Sequence, residues 1–279
     1  MKTILVPTDF SATAKNAAIY AIGLAKQIGA TKVVLYNAYE AVVPSISIDP
    51  TVPSIMPVDI ETYKNISETG LTSFAEEINH VCDENIVVEK LCNVNTLVNG
   101  ISEAIANTNA ELVVMGITGG NAIEENIIGS NTVDVAKAIT VPMIIVPPNA
   151  AFKTIEEITL AVDLKKVAAT TPVGALTKVL DTIKAKFFVL HINDGEDDGS
   201  DKETQVKTLN SLIKKYDPQY FFINNISFID GINDFVDSKH VDLLVTIPKK
   251  HGWLETLFKK SHTKLLAFHS HVPLMLVHD

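Results

Sequence analysis

Ile4-Leu5-Val6-Pro7-Thr8-Asp9, near the start of the chain, returns as Ile158-Thr159-Leu160-Ala161-Val162-Asp163, 154 residues later. Each copy is a strand-length apolar run that ends in an aspartate. A second correspondence closes the pair: Leu112 to Val146 aligns without a gap on Leu243 to Val277, at an offset of 131. There Val141-Pro142-Met143-Ile144-Ile145-Val146 falls on Val272-Pro273-Leu274-Met275-Leu276-Val277. Self-similarity at a fixed period marks one structural unit built more than once. The 279 residues therefore divide into two α/β units, 1–150 and 151–279, joined around Pro148 to Glu156. Each lies near the small end of the usual domain range of about 100–200 residues. The offset falls from 154 to 131, so the second copy is 23 residues shorter.

Inside the first copy, short apolar runs alternate with amphipathic ones. Ala14, Ala17, Ala18, Ala21, Ile22, Ala25 and Ile28 form a helical stripe over Ser11 to Ile28, with Ser11 as N-cap and Gly29 as stop. Strands are expected at Val33–Leu35, Ile86–Val88, Leu112–Met115 and Met143–Val146, and helices at Thr96–Ala106 and Ser130–Ala138. Continuous β-branched runs suit strands buried on both faces, and their alternation with helices implies a parallel sheet covered on both sides. From Ala41 to Asp59 the chain carries Pro44, Pro50, Pro53 and Pro57, which prevent both helix and central strand. That stretch reads as an extended loop, either lying on its own unit or serving as a lid or docking segment, and a helix is expected from about Ile60 to Val81. It is also where the length difference between the copies is expected.

Composition narrows the function classes. A net charge of −10 argues against a general nucleic-acid or anionic-membrane binder, because both need clustered Lys and Arg. Two cysteines, Cys82 and Cys92, exclude a disulfide framework and match no zinc spacing, so a reduced, buried pair is expected. The N-terminus enters a strand-like run directly, and no apolar run approaches the roughly 20 residues of a membrane helix. A cytoplasmic protein is the expectation.

Gly116-Ile117-Thr118-Gly119-Gly120 follows the fourth strand, and Gly129-Ser130-Asn131-Thr132 opens the next helix. Parallel sheets bind ligands at the carboxyl ends of their strands, and glycine lets a backbone approach closely. Helix N–H groups at Ser130 would face an anion there, a phosphate site without a lysine. A turn followed by an N-cap accounts for the same residues.

Gly116-x2-Gly119-x9-Gly129-Ser130 resembles the nucleotide-binding signature of the universal stress protein (UspA-like) family. The opening Ile4 to Ser11 is similar to that family's first strand and turn, and Val141 to Val146 to its last strand. The likeness covers the chain as two tandem copies. It implies two flavodoxin-like, Rossmann-like (HUP-type) domains, each a five-stranded parallel sheet of order 3-2-1-4-5. It also implies pairing through the last strands, so that Val141 to Val146 would lie antiparallel to Val272 to Val277 in an intramolecular pseudo-dimer. The implied ligand is ATP, with or without Mg. Pro7, Thr8 and Asp9 would follow the first strand, Asp9 near the ribose or adenine, and Ala38 would offer backbone to the adenine edge. Met115 and Gly116 would lie beneath ribose and phosphates, with Gly119, Gly129, Ser130 and Asn131 around the phosphates. Asp9 equally suits a turn or helix cap.

The second copy departs from this pattern. Ile247, Lys250 and Lys260 take the three glycine positions, and Ser261 and Asp163 remain. Bulky side chains would fill the phosphate space, although Lys249, Lys250, Lys259 and Lys260 could attract an anion. His251, His262, His269, His271 and His278 read as surface residues, with adventitious metal binding as the other reading. No P-loop and no nucleophile elbow is present, and Asp9 lacks an evident catalytic companion. The sequence favours a stress or regulatory protein in which bound ATP sets conformation or the choice of an unknown protein partner. A nucleotide-independent interaction module and a slow ATPase are the alternatives, and a further homodimer is compatible with the sequence.

Overall fold

A computed structural model describes residues 1–40, 60–117, 130–193, 201–224, 228–248 and 272–278. In the first half β1 (Thr3–Pro7), α1 (Ala12–Ile28), β2 (Lys32–Tyr39), α2 (Ile60–Ile78), β3 (Val87–Val94), α3 (Leu97–Thr108), β4 (Leu112–Gly116), α4 (Ser130–Ala138) and β5 (Met143–Val146) follow in order. The second half contributes β6 (Glu157–Ala161), α5 (Val167–Thr170), α6 (Val173–Thr182), β7 (Lys186–Asn193), α7 (Lys202–Ile213), β8 (Gln219–Asn224), α8 (Phe228–Lys239), β9 (Leu243–Thr246) and β10 (Leu274–Leu276). Among the described residues, ten strands form one sheet of order β3-β2-β1-β4-β5-β10-β9-β6-β7-β8. Each half thus has the expected order 3-2-1-4-5, written from its own outer edge.

Every pairing within a half is parallel, and the halves meet at one antiparallel seam, with Met275 opposite Ile144 and Leu276 opposite Met143. Met143, Ile144, Met275 and Leu276 are fully buried. Seam strands so apolar on both faces cannot be left at a solvated edge, and pairing removes that exposure. Because the seam is antiparallel, the carboxyl ends of the two sets of strands lie at opposite ends of the sheet.

Helices cover both faces. One core gathers Ile4, Val6, Leu35, Leu71 and Ile158 beneath α1, α2, α6 and α7, and the other gathers Leu5, Tyr36, Ile101, Val113 and Leu244. Helix α1 has its expected limits because Ser11 Oγ accepts the Ala14 N–H at 3.2 Å and Gly29 closes the helix at φ 65°. β3 is longer than the expected Ile86–Val88. Its residues, among them the half-exposed Glu89 and the exposed Lys90, pair with β2 along their length, so an edge strand escaped a search for continuous apolar runs.

The two halves share a strand register. Lys32 pairs opposite Thr3, and Lys186 opposite Glu157, the same register 154 residues on. The shortening begins after β2: the interval from Tyr39 to Ile60 corresponds to that from Asn193 to Lys202, and α2 has 19 residues against 12 in α7. The segment Ala41–Asp59 lies outside the described residues. Helix α1 differs from its counterpart as well. Pro172 occupies the position of Ala18, has no N–H to donate, and divides the helix into α5 and α6.

The crossing between halves is clamped to α1. Asn16 Nδ2 donates to the Pro147 and Ala150 carbonyls at 3.0 Å each, and Gln27 exchanges two 2.9 Å bonds with Ile155. Between them Tyr20 meets the Phe152 ring edge-on, and Gly23 leaves room for that ring. Positions 16, 20, 23 and 27 share one helix face.

Candidate functional site

The site is built where β1 and β4 lie side by side although the chain has travelled outward to β3 in between. Such a switch in strand order opens a crevice at the carboxyl ends of the strands. Pro7 ends β1, and the Thr8 N–H extends the ladder by donating to the Tyr36 carbonyl at 2.8 Å. The turn into α1 then consumes its own polar groups. Thr8 Oγ1 accepts the Phe10 N–H at 2.9 Å and Asp9 Oδ1 accepts the Ser11 N–H at 3.0 Å. Phe10 is held at φ 65°, an uncommon conformation for a bulky residue. Its ring lies edge-on to Phe74 and against Gly70, where a Cβ would come within 2.7 Å of the ring.

The far side is braced by residues that the sequence did not single out. Asn37 Nδ2 donates to the Thr8 carbonyl at 2.8 Å, and Asn37 Oδ1 accepts from the buried Ser67 hydroxyl at 2.7 Å. One amide side chain therefore ties β2 and α2 to the β1 turn. An Asn two positions from the end of a strand was the signal available, and it is too common to be informative.

Gly116 closes β4. A Cβ there would stand 2.5 Å from the Thr13 carbonyl oxygen and 2.8 Å from its carbon, so the first turn of α1 rests directly on the β4 backbone. Thr132, fully buried, turns its hydroxyl toward the Gly116 carbonyl at 3.4 Å. Tyr36, below Ala38 on β2, donates to Asn93 Oδ1 at 2.5 Å, and burial raises its hydroxyl above the usual tyrosine range.

The expected site residues accordingly separate into floor and rim. Pro7, Thr8, Met115 and Gly116 are buried, Ala38 is half-buried, and Asp9, Ser130 and Asn131 are exposed. Gly119 and Gly129 lie outside the described residues. Lys15, in the first turn of α1, is paired with Glu77 at 2.8 Å. The N-terminus of α4 adds positive potential on this edge, because its first N–H groups have no partner inside the helix.

In the second half the turn has the same backbone. The Val162 N–H donates to the Leu190 carbonyl, Asp163 Oδ1 accepts the Lys165 N–H, and Leu164 stands at φ 53°. The aspartate turn is thus a device of this strand–helix junction in both halves. His191 replaces Asn37, with Nδ1 3.0 Å from the Val162 carbonyl and Nε2 buried without a partner. Ile247 replaces Gly116 and is buried, while Lys249, Lys250, Lys259, Lys260 and Ser261 lie outside the described residues.

Of the late histidines only His278 is described. Contrary to the surface expectation it is half-buried, its Nε2 lacks a partner, and burial lowers its pKa. Cys82 and Cys92 are unbridged and half-exposed, less covered than expected. Among the described residues no cluster of His, Cys, Asp and Glu could hold a metal, and no helix is long and apolar enough to cross a membrane.

A family model described as the universal stress protein family matches residues 1–147. The chain is similar over 99% of its length to 98% of a universal stress protein from Archaeoglobus fulgidus DSM 4304, with 18% identity and a TM-score of 0.71. It is also similar to a protein described in the same terms from Pseudomonas aeruginosa UCBPP-PA14. There 100% of this chain covers 93% of the other, with 10% identity and a TM-score of 0.60. No curated protein sequence matches the chain.

Proposed function

The chain belongs to the universal stress protein family, and on that premise we propose that its first half binds ATP at the carboxyl edge of β1, β2 and β4. The two halves act as the units 1–150 and 151–279, of which only the first keeps a nucleotide site. The observation that carries this is the exposed N-terminus of α4 at Ser130 and Asn131, on the same edge as the exposed Asp9. Oriented N–H groups suit a polyphosphate, and in a protein of charge −10 they must do the work of a cation locally.

The residues present fit such a ligand. Asp9 would take a ribose hydroxyl with the carboxylate oxygen that its turn leaves over. Ala38 would supply backbone to the base, and Ser130 and Asn131, with Gly119 and Gly129, would hold the phosphates. Pro7, Thr8, Met115 and Gly116 form the floor and act through packing. A magnesium ion would have to rely on phosphate oxygens and at most Asp9. Bound nucleotide would set the arrangement around this edge, and through it the choice of a protein partner. Pairing through last strands is already satisfied between β5 and β10, so association with a second copy must use another surface.

Thermal unfolding of the full chain with ATP tests this. A ligand at about 100 times its Kd stabilises the folded state by roughly 2.7 kcal/mol. Asp9→Ala and Gly129→Lys should each reduce the shift, whereas Asp163→Ala should not. No shift with ATP would remove the proposal. A nucleotide-independent interaction module is favoured by the aspartate turn alone, since it persists in the second half where all three glycines are replaced. Steady release of ADP would instead indicate a slow ATPase.

A further inference from the structure

The ten-stranded sheet ends on one side in β3 and on the other in β8. A strand at the end of a sheet presents N–H and C=O groups without a ladder partner, and charged side chains are a usual guard against pairing with another chain. β3 carries that guard: Glu89 pairs with Lys32 at 3.0 Å, and Lys90 donates to Thr72 Oγ1 at 3.0 Å. β8 does not. Gln219-Tyr220-Phe221-Phe222-Ile223-Asn224 holds no charged residue, and among the described strands it pairs with β7 alone. Phe222, within it, is 58% exposed. His191, opposite it on β7, meets its ring edge-on at 6.3 Å and leaves the rest of the ring in water.

We propose that β8 pairs antiparallel with β8 of a second copy of this chain, centred on Phe222, and so extends the sheet across a two-fold axis. The occupant follows from the strand itself. A two-fold axis sets identical strands residue against residue, so an edge bearing charge of one sign repels its own copy and an uncharged edge does not. The centre follows from the faces. An axis normal to the sheet keeps each face on its own side, so opposed residues must share a face and the centre must fall on a residue. The seam between the halves already has this form, with Ile144 opposite Met275, its equivalent 131 residues on. On β8 the centre is Phe222 rather than Phe221, because Phe221 is already packed against Phe188 and Phe235 and lies under Lys239 Nζ at 4.8 Å. The two Phe222 rings then cover each other, Phe221 faces Ile223 on the other side of the sheet, and Tyr220 faces Asn224. The proposal does not depend on ATP binding in the first half.

Sedimentation equilibrium of the full chain provides the test, and a monomer–dimer equilibrium is expected. Phe222→Lys should weaken the dimer by about tenfold or more, since it removes the central aromatic and sets two like charges together. Phe222→Tyr should stay within about threefold of the parent, and Val87→Lys on the β3 edge should leave dimerisation unchanged. A crosslink checks the register independently. Opposed residues of an antiparallel pair lie about 4.5–5.5 Å apart at Cα, within disulfide reach. With Cys82 and Cys92 replaced by serine, Phe222→Cys should give a covalent dimer on mild oxidation, and Gln219→Cys, which lies off the centre, should not. A chain that stays monomeric up to about 1 mM would overturn the proposal. So would a dimer indifferent to Phe222→Lys, one broken by Val87→Lys, assembly that runs on beyond the dimer, or crosslinking at Gln219→Cys in place of Phe222→Cys.

Discussion

Gly116→Ala separates two reasons for a glycine at the end of β4. If it serves ligand approach alone, alanine should weaken nucleotide binding and leave stability untouched. If it serves packing, alanine must push against α1. The added carbon would lie 2.5 Å from the Thr13 oxygen and 2.8 Å from the Thr13 carbon, both backbone atoms that no rotamer change can move. Relief requires a shift of the first turn of α1, which Ser11 anchors through Ala14 and Lys15 anchors through Glu77. Overpacking of this kind costs about 1–3 kcal/mol. The lower chain entropy of alanine returns roughly 0.5–1 kcal/mol. A net loss of about 1–2 kcal/mol is expected in urea unfolding of the full chain. Gly174→Ala is the control, because a Cβ there meets nothing within 4 Å, and in helix α6 it should stabilise by about 0.5 kcal/mol. A Gly116→Ala protein as stable as the parent would refute the packing account. Reduced ATP binding at unchanged stability would restore the ligand account.

Three further outcomes follow from single contacts. Tyr20 buries a hydroxyl with no hydrogen-bond partner, so Tyr20→Phe should raise stability by roughly 0.5–1.5 kcal/mol, and a loss of that size in urea unfolding would show a missed partner. Ser11→Ala removes the cap on α1 and should cost about 1 kcal/mol by the same measurement, while no loss would mean that the cap is replaced. Glu111, held below its ordinary 4.5 by its bonds to Lys178 and to the Lys2 N–H, gives stability that is present above that value and lost as pH falls through the lowered one. The stability gap between the parent and Glu111→Gln should therefore close on acidification, and a gap constant from pH 7 to pH 3 would dismiss the contact.

Much of the fold was readable before any coordinates. The limits of α1 followed from Ser11 and Gly29, and those of α4 and β5 from Ser130, Ala138, Met143 and Val146, because caps and continuous apolar runs are local signals. β3 was underestimated because an edge strand needs an apolar residue only where it touches the sheet. The break at Pro172 was there to be read, since a proline at the position of Ala18 cannot sit inside a helix. At the site, Asp9 was legible as a residue with two uses, and the structure gives one oxygen to the turn. Asn37 and Ser67 were not legible, since their value lies in a contact between residues 30 positions apart.

Sequence alone pointed to two similar halves, to where most strands and helices of the first one lie, and to a glycine pattern that only the first one carries. Those are properties of short stretches, in which side-chain period, caps and turn residues act over a few positions. The tertiary structure decided what the same residues mean when another element is pressed against them. Gly116 became a packing contact because the Thr13 backbone lies over it. The antiparallel seam of β5 and β10 set the two carboxyl edges at opposite ends of one sheet. Close packing makes each of these outcomes depend on a partner distant in sequence, which is why local pattern could not contain them.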